Sequence, residues 1–245
     1  MRRFAVLLTL CAATLAAQNK KIVVSNADPE LLKLLQSATP KAQVVELKPE
    51  SAAQQIAEAD AFICDIKPDQ VRAGKNLKWV QVMAAGVEKV LHLSGSSDLR
   101  DSGITLTNNQ IVQGPEIADH AMAMLLMLTR GLNKFAANRL TETWQARPYG
   151  GIELRGRNAV VIGCGGIGTQ ISVRAWAFGM NVTCIDPEDI PFSPFIQKVV
   201  KPDQINEVIP QADVVFISVP HTEKSHKMMG PQQFDLMKKD SYFIA

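Results

Sequence analysis

The chain lacks an excess of charge of either sign. Lys and Arg total 26 against 24 Asp and Glu, and Arg2 with Arg3 account for the difference. A neutral body supplies no electrostatic footprint for nucleic acid or for an acidic membrane surface, so neither is expected as a partner. No long hydrophobic run is present either. Phe4–Ala17 and Ala121–Leu128 are uncharged apolar stretches, and both fall short of the roughly 20 residues a bilayer span needs, so no stable membrane anchor is expected. There is no repeat of fixed period and no low-complexity segment. Cysteine is scarce: Cys11, Cys64, Cys164 and Cys184. No two have CxxC spacing, and the last three sit in or beside apolar, strand-like stretches. They are expected to be buried free thiols rather than a disulfide or a metal site.

The N-terminus has a character of its own. Arg2-Arg3, the apolar Phe4–Ala17 and the small residues Thr14, Ala16 and Ala17 have the layout of a secretory signal peptide covering residues 1–17. Cleavage is expected after Ala16 or Ala17, removing Cys11 and delivering an exported, periplasmic protein. A frayed apolar terminus on a cytoplasmic protein is the alternative.

From Lys21 onward short apolar strands alternate with amphipathic helices. Ile22–Val24, Val44–Leu47, Ala61–Cys64, Leu77–Met83 and Ile104–Thr107 read as strands. Pro29–Ser37, with Leu31, Leu32, Leu34 and Leu35 inward, and Ser51–Ala59 read as helices. One long helix is expected from Pro115 to Asn138. After a connection at Arg147–Gly151 a second array begins, with strands at Ala159–Ile162, Val182–Ile185, Lys198–Val200, Val214–Val219 and Tyr242–Ala245. This alternation predicts an α/β fold of two Rossmann- or flavodoxin-like doubly wound parallel sheets. The expected domains are 20–110 and 111–245, the second incomplete at its C-terminus because its last strand ends with the sequence.

Gly163-Cys164-Gly165-Gly166-Ile167-Gly168 is a GxGxxG spacing placed between a strand and a helix. Gly163 permits the tight turn, Gly165 lets the backbone approach a pyrophosphate, and Gly168 lets helix and strand pack closely. The helix N-terminus offers Gly166 and Ile167 amides and a positive dipole end to the phosphates. Asp186, eighteen residues after Gly168, closes the next strand where it can accept hydrogen bonds from ribose hydroxyls. A carboxylate there repels a 2′-phosphate, and Pro187–Pro191 contain no Arg or Lys, so NAD is expected over NADP.

Several of these stretches, in order, resemble the D-isomer-specific 2-hydroxyacid dehydrogenases. They are Leu77–Gln81 through Ala84–Glu88, Gly103–Asn108 followed by Ile117–Ala121, Leu154–Gly168, and Ala212–Val215 with Val219–Thr222. The resemblance implies an NAD-dependent oxidoreductase that interconverts a 2-hydroxy acid and its 2-keto acid, usually as a homodimer. It implies that the amides of Ala85, Gly86 and Val87 hold the substrate carboxylate, and that Val219, Pro220 and Thr222 contact the cofactor. Asp119 stands where the family usually has Glu, a change expected to affect packing or a helix cap. The family's catalytic Arg follows the strand that begins at Tyr242, and its Glu and His come later still. No catalytic residue is therefore expected in this chain, and His92, His120, His221 and His226 are expected to be structural or solvated. The alternative function is a non-catalytic NAD- or nucleotide-binding protein of the same fold.

Overall fold

Ile22, Val23 and Val24 suit a covered, pleated surface, and they form the buried end of the first strand, β1 (Lys20–Val24). The computed structural model describes residues 20–145 and 150–245, so the leader at 1–17 and Arg147–Tyr149 of the expected connection lie outside the described residues. The chain divides into two compact units, one ending at Asn108 and the other running from Asn109 to Ala245.

In the first unit β1 is followed by α1 (Pro29–Ala38), β2 (Ala42–Glu46), α2 (Ala52–Ala57), β3 (Ala61–Ile63), α3 (Pro68–Ala73), β4 (Trp79–Gln81), α4 (Glu88–Leu91) and β5 (Thr105–Thr107). The strands pair in the order β2-β1-β3-β4-β5, all parallel. Val23, Phe62 and Val80 are fully buried at its centre. Of the four leucines expected inward on α1, Leu32 and Leu35 pack against the sheet, whereas Leu34 is 64% exposed. At 100° per residue, Leu34 points away from the face that Leu32 and Leu35 share.

The second unit holds α5 (Gly114–Arg130), α6 (Leu132–Leu140), β6 (Asn158–Ile162), α7 (Gly166–Ala177), β7 (Asn181–Ile185), β8 (Lys198–Val200), α8 (Ile205–Val208), β9 (Val214–Ile217), α9 (Pro231–Leu236) and β10 (Tyr242–Ile244). Its sheet runs β10-β9-β6-β7-β8, again all parallel. The doubly wound α/β class is thus the observed one. The single helix expected at Pro115–Asn138 is two helices. Gly131 adopts φ +59° and ψ +34°, its N–H returns to Leu128 and Met127 carbonyls, and the chain restarts as α6. A left-handed glycine ends a helix more strongly than an apolar run continues it.

The cysteine expectation is corrected by the structure. Cys164 and Cys184 form a disulfide with Cα atoms 6.2 Å apart. Parallel pairing sets Cys184 beside Val161 and Ile185 beside Ile162, so the turn that leaves β6 carries Cys164 back over β7. That register is tertiary information that a spacing of 20 residues does not carry. Cys64 is a free thiol, half-buried, and burial together with the neighbouring Asp65 pushes its pKa up. Among the described residues, no helix is long and apolar enough to cross a membrane, and no cluster of His, Cys, Asp and Glu could hold a metal.

Candidate functional site

The buried strand β6 delivers the chain to Gly163, which turns at φ +87°. A Cβ there would lie 2.8 Å from both the Ser218 carbonyl oxygen and Val219 Cγ1, so backbone angle and space both require glycine. In the first turn of α7, a Cβ on Gly168 would overlap the Gly163 carbonyl oxygen. That carbonyl accepts a hydrogen bond from Ser218 Oγ at 2.9 Å, and Thr169 Oγ1 donates to the Cys164 carbonyl at 2.9 Å. The loop is thereby pinned between β9 and its own helix.

Gly165 is different. Gln110 Nε2, at 3.9 Å, is the nearest atom a Cβ there would meet, so its face is open. Gly166 lies under Gln110–Ile111, since a Cβ on it would come within 2.8 Å of Ile111 Cα. Ile167 packs into the core formed by α5, α7 and the sheet. No side chain caps α7, whose N-cap is Gly165, and no acidic residue occupies its first turn. Its leading N–H groups and the positive end of its dipole therefore remain available to an anion. Asp119, the departure from the family's Glu, pairs with Arg174 Nε at 2.5 Å and ties α5 to α7. It is not a cap.

Asp186 follows β7 and is 8% exposed. Its Oδ2 accepts the Cys164 N–H at 2.7 Å and its Oδ1 accepts the Glu188 N–H at 2.9 Å. A carboxylate offers about four acceptor positions, so two remain for hydroxyl donors. The fold adds a cation that the local sequence after Asp186 does not contain. Lys201 Nζ reaches the Pro187 carbonyl at 2.9 Å and Asp189 Oδ1 at 2.7 Å, and this ammonium holds the Asp189 carboxyl below its usual range.

Val219 backs the loop against Gly163, while Pro220 and Thr222 continue into a turn at the rim. That turn is fixed by Ser225, which accepts the Thr222 N–H at 2.8 Å and donates to the Pro220 carbonyl at 2.6 Å. His221 Nε2 and His226 Nδ1 approach to 3.2 Å, a pairing with no sequence signal. Gly163, Gly165, Gly166, Ile167, Gly168, Asp186 and Val219 are thus brought together at the C-terminal edge of one parallel sheet.

In the first unit Ala85, Gly86 and Val87 form the turn between β4 and α4, with the Ala85 carbonyl accepting from Asn108 Nδ2 at 2.6 Å. Glu88 folds back over Gly86, its Cδ within 2.8 Å of where a Cβ would stand, and its Oε2 is buried without a hydrogen-bond partner. The turn is therefore not the row of bare amides its small residues predict, because a carboxylate covers its glycine. Glu88 lies two residues after Gly86, and no sequence pattern places its side chain over that glycine.

Comparison with known proteins agrees with this geometry. The domain family described as D-isomer specific 2-hydroxyacid dehydrogenase, NAD binding domain, matches residues 122–245, just over half of the chain. D-3-phosphoglycerate dehydrogenase of Methanocaldococcus jannaschii is 27% identical over 232 residues, 92% of this chain and 43% of that protein. Hydroxypyruvate reductase of Thermotoga maritima is 25% identical over 173 residues, 71% of this chain and 54% of that protein. The chain thus spans about half the length of these curated relatives. The structure of D-lactate dehydrogenase from Aquifex aeolicus, complexed with NAD and lactic acid, superimposes with a TM-score of 0.75 at 21% identity, covering 91% of this chain and 67% of that one. The chain belongs to the D-isomer-specific 2-hydroxyacid dehydrogenase family, with NAD as its cofactor.

Proposed function

We propose that the protein interconverts a 2-hydroxy acid and its 2-keto acid by hydride exchange with NAD. The observation that carries this reading is the open face of Gly165 at an uncapped helix start, opposite an acid that ends the next strand. When bound, NAD supplies the hydride acceptor or donor. Gly163 and Gly168 keep the turn tight, and the Gly165, Gly166 and Ile167 amides face the pyrophosphate. Asp186 accepts from the adenosine ribose hydroxyls, and Val219, Pro220 and Thr222 line the rim. The amides of Ala85, Gly86 and Val87 hold the substrate carboxylate once the Glu88 side chain has moved off Gly86.

None of the histidines present is placed as the proton donor that this exchange needs. His92, His120, His221 and His226 are exposed, and among the described residues no histidine is paired with a carboxylate that could tune it as a proton shuttle. The same observation favours the second reading, a non-catalytic NAD-binding protein of this fold. A homodimer is supported by the exposed Met127, Leu128, Leu132, Phe135 and Leu140 along α5 and α6. Export is supported by the composition of the leader and by a disulfide of the kind that persists in oxidising compartments.

A fluorescence titration with NADH tests the reading. Saturable binding is expected, and failure to bind would remove the assignment; NADH consumption on adding short 2-keto acids would support hydride exchange, and binding without consumption would favour the second reading. Asp186→Ala should narrow the preference for NAD over NADP by about tenfold, the effect of one lost charge-assisted contact. An unchanged ratio would count against the ribose role.

A further inference from the structure

The Cys164–Cys184 disulfide joins the variable position of the glycine loop to the strand that ends on Asp186. We infer that this bridge is a redox lock on the cofactor loop: reduction by a dithiol weakens NAD binding, and bound NAD in turn shields the bridge. The inference rests on the second unit holding NAD and adds a control on how tightly it does so.

Three observations lead to it. Both cysteines lie in the packed core, with Cys164 3% and Cys184 0% exposed, so separating the sulfurs displaces their neighbours. Their other neighbours are close: the Val161 carbonyl lies 3.6 Å from Cys164 Sγ and Ser172 Oγ lies 3.9 Å from Cys184 Sγ. The two ends are also unequally held. Cys184 sits mid-strand in β7, registered against Val161 on one side and Val199 on the other. Cys164 lies in the turn, beyond the last paired residue of β6.

When the bond is cut, the sulfurs must part from bonding distance to van der Waals contact, roughly 3.5–4 Å. Moving Cys184 breaks strand pairing on both of its sides, whereas moving Cys164 breaks only its own N–H bond to Asp186 and the Thr169 bond to its carbonyl, so the loop yields first. Movement of Cys164 takes its N–H from Asp186 Oδ2, which it now meets at 2.7 Å, and carries Gly165 and the start of α7 with it. The pyrophosphate amides and the ribose acid are thus uncoupled by one chemical event.

The chemistry balances with a dithiol as reductant. Its thiolate attacks one sulfur of the bridge, forming a mixed disulfide and releasing the other as a thiolate that takes up a proton. Its second thiol then displaces the protein sulfur. Two electrons and two protons pass to the protein, leaving two thiols, and the reductant closes into a cyclic disulfide. Because neither sulfur is accessible in the closed loop, attack requires the loop to open, and a ligand that holds it closed slows the reaction.

The test compares NAD binding by the oxidised protein with binding after dithiothreitol treatment, the oxidation state being read from alkylation and intact mass. About a tenfold loss of affinity on reduction is expected, within the usual range of coupling between sites. By reciprocity, saturating NAD should raise by the same factor the ratio of reduced to oxidised dithiothreitol that opens the bridge. Cys164→Ala/Cys184→Val keeps the core apolar and retains Cys64; its NAD affinity should not respond to dithiothreitol. Equal affinities before and after reduction, or a double variant that still responds, would overturn the lock. Hydrogen exchange at residues 163–169 without ligand separates this from a failure of the cofactor assignment. Faster exchange on reduction supports the lock, and unchanged exchange refutes it whatever the NAD titration shows.

Discussion

The two units start alike and diverge at one turn. Each places its first strand inside the sheet beside its second, with the third strand on the other side in the first unit (β2-β1-β3-β4) and the fourth in the second (β7-β6-β9-β10), whose third strand, β8, lies at the edge. Each fixes the start of that strand with an aspartate ahead of the neighbouring one. Asp60 Oδ2 accepts the Lys21 N–H at 3.0 Å, and Asp213 Oδ2 accepts the Asn158 N–H at 2.7 Å. The difference lies at the other end. α1 is capped by Asp28, whose Oδ1 accepts from the Glu30 N–H at 2.6 Å and the Leu31 N–H at 3.3 Å, and Glu30 adds a second carboxylate to its first turn. α7 has glycine at the same place, with no cap and no acid. A parallel sheet puts a helix N-terminus at its C-terminal edge in both units. Turn chemistry decides whether the helix satisfies itself or waits for an anion.

Gly168→Ala attacks the second turn most severely, because the added carbon overlaps the Gly163 carbonyl oxygen. Chemical denaturation should show a loss of about 3 kcal/mol or more, with NAD binding lost as well. Gly165→Asp converts the open turn into a copy of the closed one. The Cβ meets open space and aspartate is a good N-cap, so stability should hold or rise by a few tenths of a kcal/mol. NAD affinity should nevertheless fall by about a hundredfold or more, as a carboxylate occupies the phosphate position. A variant that binds NAD normally would break the comparison at its centre.

The shared aspartates predict a smaller, pH-dependent effect. Burial pushes the Asp213 carboxyl up, but the Asn158 amide and the Lys238 and Arg157 charges outweigh it and hold the group below the usual carboxylate range. The Lys20 ammonium and the Lys21 amide likewise lower Asp60. Both carboxylates therefore stabilise the fold above their unfolded pKa, and this contribution disappears as the pH falls through the lower folded value. Asp213→Asn should cost about 1.5 kcal/mol at neutral pH and flatten the loss of stability below about pH 4. Asp60→Asn, with fewer partners, should do less of both. Smallest is Asp28→Ala, which should cost about 1 kcal/mol of stability and leave NAD affinity unchanged.

The features legible in the sequence were those written contiguously. β6, the glycine spacing and Asp186 occupy one stretch of 29 residues, and each signals its own local geometry. What was not legible depends on how distant segments register. The Cys164–Cys184 bridge needs the pairing of β6 with β7, and the Lys201–Asp189 contact needs β8 beside β7. The return of Glu88 over Gly86 is a rotamer choice, and the His221–His226 approach follows from the Ser225 turn. Gly131 ends α5, but the apolar periodicity on both sides of it conceals the break in the sequence.

The most direct test of the account is hydrogen exchange across the whole chain with and without saturating NAD. Protection at residues 163–169 and around Asp186, with none at residues 25–31, is the predicted result. Protection at residues 25–31, or none at 163–169, would contradict the claim that the uncapped turn alone receives the cofactor.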